Sequence, residues 1–159
     1  MAVKIRDAVE DDIPALLAMA RDLHAESPRY ARLSFSVAKV EALIRSLLSS
    51  TLASAPIGGV FVAEKAGKIV GMLGAYVHAP YFSEDKIASD YTLYIVPEQR
   101  RRGRAAIGLV RAMEKWAWDN GAVDIVPGTS TMIDAESTAH FYEKLGYAKY
   151  GYTFIKRLR

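Results

Sequence analysis

Six consecutive residues, Arg100-Arg101-Arg102-Gly103-Arg104-Ala105, combine four guanidinium groups with two of the smallest side chains. Pro97 lies just upstream, after the apolar run Leu93 to Val96, and a helical pattern begins at Gly103. A turn that opens a helix leaves backbone N–H groups unpaired, with the positive end of the helix dipole behind them. Such a terminus binds anions. Gly103 lets the backbone come close to the anion with no Cβ in the way, and arginines add charge-assisted contacts to phosphate. The geometry suits a pyrophosphate better than a long polymer backbone. No Gly-Lys-Ser/Thr follows the glycine, so this is not a Walker loop. The turn also comes late in the chain, unlike the first turn of a dinucleotide fold.

The elements that must position this loop can be read from periodicity. Val3 to Arg6 alternates as a first strand. Asp11 or Asp12 is placed to cap a helix with Pro14 in its first turn, and Ile13, Leu16, Leu17, Ala20 and Leu23 follow at helical spacing. Ser36 caps a second helix with the stripe Val37, Val40, Ile44, Leu47 and Leu48. Residues 58 to 78 read as two strands around the turn Ala66-Gly67. Residues 90 to 96 form a fourth strand. A helix runs from Gly103 to about Asp119 and closes at Asn120-Gly121. Gly108 on this helix allows close packing against the sheet or a ligand. Residues 122 to 126 form a fifth strand, Asp134 caps a last helix, and residues 152 to 158 read as a closing strand. The order predicts one mixed α/β (α+β) domain over residues 1–159, with a mostly antiparallel central sheet flanked by helices.

Composition bounds the function. The chain has 159 residues, 51% of them hydrophobic, and a net charge of +3. That suits one domain with a proper core and is too small an excess to mark a dedicated nucleic-acid binder. There is no cysteine, which removes disulfides, thiolate metal sites and a cysteine nucleophile. His24, His78 and His140 lie apart without ligand-spaced partners, so no metal site is expected. No run approaches the roughly 20 apolar residues of a membrane span. The N-terminus lacks the apolar stretch of a signal peptide. A cytoplasmic protein is expected.

The run Arg100 to Ala105 fits the R/Q-x-x-G-x-G/A signature of the GNAT (GCN5-related N-acetyltransferase) superfamily. "LYIVPEQ" resembles its fourth strand entering that loop, and "AHFYEKLGYAKYG", 139 to 151, resembles its later "FYEKLGF" segment. The element order is similar across nearly the whole chain. The resemblance implies the GNAT acyl-CoA N-acyltransferase fold and acetyl-CoA as donor. It implies that loop amides of Arg101, Arg102, Gly103, Arg104, Ala105 and Ala106 hold the pyrophosphate. Leu93, Tyr94, Ile95 and Val96 would pair with the pantetheine arm like an added strand. Ile95 and Val96 would lie nearest the thioester, where a backbone N–H would polarise its carbonyl. Tyr142 falls at the position of the family's proton donor to the departing thiolate. The family often carries asparagine near the start of the last helix; here that region offers Asp134 or Ala135.

Direct attack by an amine needs no covalent enzyme intermediate, in keeping with the missing cysteine. A phenol with pKa about 10 is a proton source at neutral pH. A base is needed if the amine arrives as ammonium, and Asp90, Glu26 or a water chain could serve. The stretch 24 to 35, with Glu26 and Tyr30, is placed to cover the acceptor site, and 79 to 85, with Tyr81 and Phe82, to form the opposite wall. The acceptor is a primary amine on a small molecule, peptide or protein. Two rivals stand beside this reading: an acyl-CoA-binding GNAT-fold protein without turnover, and a basic nucleic-acid-binding module, whose affinity would depend steeply on salt. No nucleic-acid or membrane partner is expected, and a homodimer is left open.

Overall fold

The computed structural model describes residues 2–159. Five strands form one sheet in the order β1-β2-β3-β4-β5: β1 Lys4–Asp7, β2 Ile57–Lys65, β3 Lys68–His78, β4 Lys86–Ile95 and β5 Ala122–Val126. The first three pairings are antiparallel and β4–β5 is parallel. Between them run α1 Ile13–Glu26, α2 Val37–Leu48, a single turn α3 Pro97–Arg100, α4 Arg104–Asp119 and α5 Ala135–Lys144. The mixed, mostly antiparallel sheet with flanking helices is the arrangement expected from the sequence.

Alternation on β2 sorts the layers. Val60 and Val62 face Leu16, Met19 and Leu47 of α1 and α2, whereas Phe61 and Ala63 face Leu109, Val110 and Met113 of α4. Both faces are therefore covered, which is why β2 and β3 read as continuous apolar runs. The β2–β3 hairpin turns on Ala66 (φ 51°) and Gly67 (φ 73°). Positive φ at both central residues matches the right-handed twist of the strands. At Gly108, a Cβ would sit 2.7 Å from Ile5 Cγ1, so the glycine is what lets α4 lie against β1.

Ser36 caps α2 by accepting from the Lys39 N–H, and Pro14 occupies the first turn of α1. Asp12 is engaged elsewhere. Its carboxylate accepts from Arg6 (2.7 and 2.9 Å) and from the Val9 N–H (2.8 Å), closing a 3-10 turn ahead of α1. Trp116 is partly buried against Phe61, while Trp118 faces solvent.

Two strand expectations need correction. β4 begins at Lys86, four residues before the expected start, because Ile87 to Ser89 owe their strand form to partners on both sides, and Lys86 to one on β5, rather than to an apolar pattern. The closing strand over 152 to 158 is absent: residues 147 to 159 have no regular structure, and Tyr152, Phe154 and Leu158 are exposed. Their alternation is a strand pattern without a paired edge. Positive φ at Gly146 (95°) and Gly151 (67°) turns the chain on either side of that stretch's start. Among the described residues, no helix is long and apolar enough to cross a membrane.

Candidate active site

The site begins where two strands part. β5 pairs with β4 only from Lys86↔Ala122 to Ser89↔Val126. On the other side of β4 the register jumps, Gly74 opposing Thr92 and Ala75 opposing Asp90, so Tyr91 is an extra residue. Such a bulge bends its strand and re-aims side chains. From Asp90 onward, β4 has no neighbour on the β5 side. The N–H of Val96 donates to Val70 O on β3 (3.0 Å). Backbone groups alternate sides along a strand, so those of Leu93 and Ile95 face the open edge. The Ile95 carbonyl there already accepts from Arg100 Nε at 2.8 Å.

A cavity of about 580 Å³ occupies the gap. One wall is the β4 edge from Asp90 to Ile95. Another is α5 with Tyr142 and Thr138, and a third is the loop 128 to 131. Gly103 and Ala106 border the far end. Gly103 has φ +62°, a conformation that costs an L side chain about 1–2 kcal/mol. The Ile107 N–H bonds to Gly103 O and the Arg104 N–H to Arg102 O. Helix geometry leaves the amides of Ala105 and Ala106 without intrahelical acceptors, the arrangement that suits an anion.

Tyr142 is buried between Phe141 and Tyr147, with ring centroids 5.2 and 5.3 Å away. Its hydroxyl and that of Thr92 are the two buried side-chain polar atoms without a partner among the described residues, and both residues line the cavity. A buried hydroxyl left unpaired is costly, so both are poised for a ligand. Burial, with the charge of Asp90 adding to it, pushes the Tyr142 phenol well above its ordinary value. Asp90 sits at the apex, where its Oδ1 accepts from the Gly128 N–H at 2.8 Å. Burial raises its pKa despite that bond, a shift that makes the carboxylate a better proton acceptor.

The roof is a bridge between two loops. Ser27, fully buried, donates to Thr131 O at 2.6 Å and accepts from the Tyr30 N–H. Tyr30 Oη and Ser130 Oγ share a hydrogen bond of 3.0 Å. Arg29 donates to Ser130 O.

The structure therefore brings Tyr142, Asp90, Leu93, Tyr94, Ile95, Gly103, Ala106 and Tyr30 to one cavity. Others lie elsewhere. Arg102, Arg104 and Ala105 border a small depression beside Val3 and Gln99. Arg101 is exposed, and the Val96 side chain packs into the core. Tyr81 is fully exposed against Phe82, away from the cavity wall. The Glu26 carboxylate bonds to Tyr94 and Arg100. Asp134 lines the cavity and also caps α5 through Ser137. Sequence reasoning missed Thr92 and the 128–131 loop, and placed Ser27 only within the stretch 24 to 35. Thr92 carried a usable signal, a polar residue inside an apolar strand; the loop's small polar residues carried none.

Known proteins share this plan. A family model described as "Acetyltransferase (GNAT) domain" matches residues 56–149, which spans the splayed strands, the arginine-rich turn and α5. The chain belongs to the GNAT acetyltransferase family. Human N-acetyltransferase 8 is 34% identical over 96 residues, covering 60% of this chain and 40% of that protein. The chain thus spans about two-fifths of the length of that curated relative. The fold is similar to that of AAC(6')-Iy, whose structure holds a bisubstrate analogue, CoA-S-monomethyl-acetylneamine. The TM-score is 0.76 at 17% identity, over 100% of this chain and 99% of that one. An aminoglycoside acetyltransferase from an uncultured soil metagenomic sample gives a TM-score of 0.71 at 21% identity, with both chains fully covered. At such identities the likeness concerns the fold of this GNAT domain.

Proposed function

We propose that this GNAT protein transfers the acetyl group of acetyl-CoA to a primary amine by direct attack. One observation carries the reading. An unpaired strand edge, the free amides of a helix start and the partnerless Tyr142 hydroxyl meet in one cavity. Each suits a different part of the donor. The α4 terminus suits the pyrophosphate. The open edge of β4 suits the amide-bearing pantetheine arm, which can hydrogen-bond as an added strand does. The bound thioester supplies the activated acetyl group.

The chain's own residues supply the rest. The Ile95 or Leu93 N–H, facing the open edge, is placed to polarise a carbonyl beside it. The Val96 N–H is taken by β3. Tyr142 keeps its proton at working pH and can deliver it to a thiolate, whose charge the same burial also disfavours. Asp90, across the same cavity, is the base that relieves an arriving ammonium of its proton. Tyr30 and the Ser130 loop bound the acceptor end. The absence of cysteine fits a reducing, cytoplasmic setting.

The deciding experiment incubates the protein with acetyl-CoA and a library of primary amines and follows free thiol. Amine-dependent thiol release supports the reading. Tight CoA binding with no release for any amine would make the protein a binder of acyl-CoA. No CoA binding at all would remove the donor assignment.

A further inference from the structure

The first arginine of the loop differs from its neighbours. All four arginines are exposed, but Arg101, Arg102 and Arg104 make no side-chain hydrogen bond among the described residues, whereas Arg100 turns back onto the protein. Its Nε donates to Ile95 O at 2.8 Å, and its Nη2 donates to both oxygens of Glu26 at 2.8 and 3.0 Å. Its guanidinium carbon lies 5.2 Å from the centre of the Tyr94 ring. The Tyr94 hydroxyl donates to Glu26 Oε1 at 2.7 Å. The last residue of α1 thus holds three hydrogen bonds, one from β4 and two from the residue that starts the loop.

This arrangement fixes position more than it stores energy. An ion pair about one-third exposed contributes little net stability. A planar guanidinium held on a carbonyl, a carboxylate and an aromatic face has little freedom left. The Gly103 N–H donates to Arg100 O at 3.1 Å, so the placement of Arg100 passes to the glycine and on to the amides of Ala105 and Ala106.

We propose that Glu26 is a positioning residue for the donor loop, acting through Arg100 to set where the first amides of α4 point. This rests on reading that loop as the pyrophosphate cradle. It differs from the acceptor role expected of Glu26 from sequence. In Glu26→Gln the amide oxygen can still accept from Tyr94 at the Oε1 position, but an NH2 group then faces the Arg100 guanidinium in place of Oε2. Size is kept, and the charge and the paired contact to Arg100 are lost.

The test separates the pyrophosphate-bearing nucleotide half of the donor from its pantetheine arm. CoA and pantetheine, which lacks the pyrophosphate, are titrated calorimetrically into wild type, Glu26→Gln and Tyr94→Phe, with folding checked by circular dichroism. The acceptor KM is measured in parallel. For Glu26→Gln we expect CoA affinity to fall about tenfold, or about 1.4 kcal/mol, with pantetheine affinity and acceptor KM unchanged. Tyr94→Phe, which removes one of the three bonds, should show a smaller loss of the same sign and covers the case of a poorly folded Glu26→Gln. Equal losses for CoA and pantetheine would overturn the proposal in favour of a general structural role. A raised acceptor KM with unchanged CoA affinity would overturn it in favour of acceptor binding. A wild type that binds pantetheine as tightly as CoA would instead overturn the pyrophosphate reading beneath it.

Discussion

Asp90 Oδ1 accepts a hydrogen bond from the Gly128 N–H at 2.8 Å, across the point where β4 and the chain leaving β5 separate. The bond closes the apex of the cleft. It also places a carboxylate, raised in pKa by burial, in the cavity that Tyr142 shares.

Asp90→Asn tests both roles of that carboxylate. The amide oxygen can still accept from Gly128, so the apex should hold. The folded-state pKa of Asp90 lies above its ordinary 3.8. Its contribution to stability is therefore full below about pH 3.8 and lost as pH rises through the folded value. At pH 7 the ionised group works against folding, so Asp90→Asn should melt at the same temperature or higher. Turnover should fall by roughly 10²-fold, in the usual range for a general base, and the acid limb of the kcat/KM profile should disappear. A persisting acid limb would assign it to another group.

Tyr142→Phe should also separate stability from chemistry. The hydroxyl is buried without a partner, and its removal leaves a ring of nearly the same volume. Thermal stability should hold or rise, by up to about 1 kcal/mol, and acetyl-CoA affinity should change little. We expect kcat to drop by roughly 10²-fold, and by less with a donor whose thiol has a lower pKa. Steady-state rates with both donors, with product release shown not to limit, provide the check. Near-normal turnover would make Tyr142 a packing residue.

Gly103→Glu addresses the helix start. A Cβ there would meet only Ile107 Cδ1, at 3.8 Å, so crowding is not the obstacle. The positive φ and a carboxylate facing the anion are. CoA affinity should fall tenfold or more, at least about 1.4 kcal/mol, in a calorimetric titration. Gly103→Ala should give a smaller loss, since it carries only the backbone strain of about 1–2 kcal/mol. Equal affinities in folded variants would refute the loop assignment.

Tyr30→Phe removes the bond to Ser130 Oγ at 3.0 Å and leaves the aromatic ring in place. It should raise the acceptor KM several-fold, about 1 kcal/mol for one lost hydrogen bond, with the acetyl-CoA dissociation constant unmoved. A shift in donor affinity instead would place this roof over the donor.

The parts legible in the sequence are those set by local chemistry. The Ala66-Gly67 hairpin, the Ser36 and Asp134 caps, the arginine turn and the helix behind Gly103 all follow from turn and helix-end rules. Tyr142 was singled out by the resemblance of its segment to the family's, and Asp90 as an acid at the start of the fourth strand; both line the cavity. What stayed hidden depends on distant partners. Glu26 looked like an acceptor-facing acid until its meeting with Arg100, 74 residues away, was seen. Ile87 to Ser89 lacked an apolar pattern yet pair on two sides. The tail from Tyr152 to Leu158 shows the converse, an alternating pattern with no paired edge.

The parting of β4 from β5 has a thermodynamic side. Pairing between β4 and β5 stops at Ser89, which leaves the outer edge of the next residues of β4 without a strand partner. On the proposed reading, a donor that completes the edge would act as a removable sixth strand, bound by the folded chain and not by the unfolded one. At a donor concentration a hundredfold above the dissociation constant, folding would gain about 2.7 kcal/mol by mass action. The lifetime of this protein against proteolysis would then follow the supply of its own acyl donor, and starvation for that donor would thin the enzyme as well as idle it.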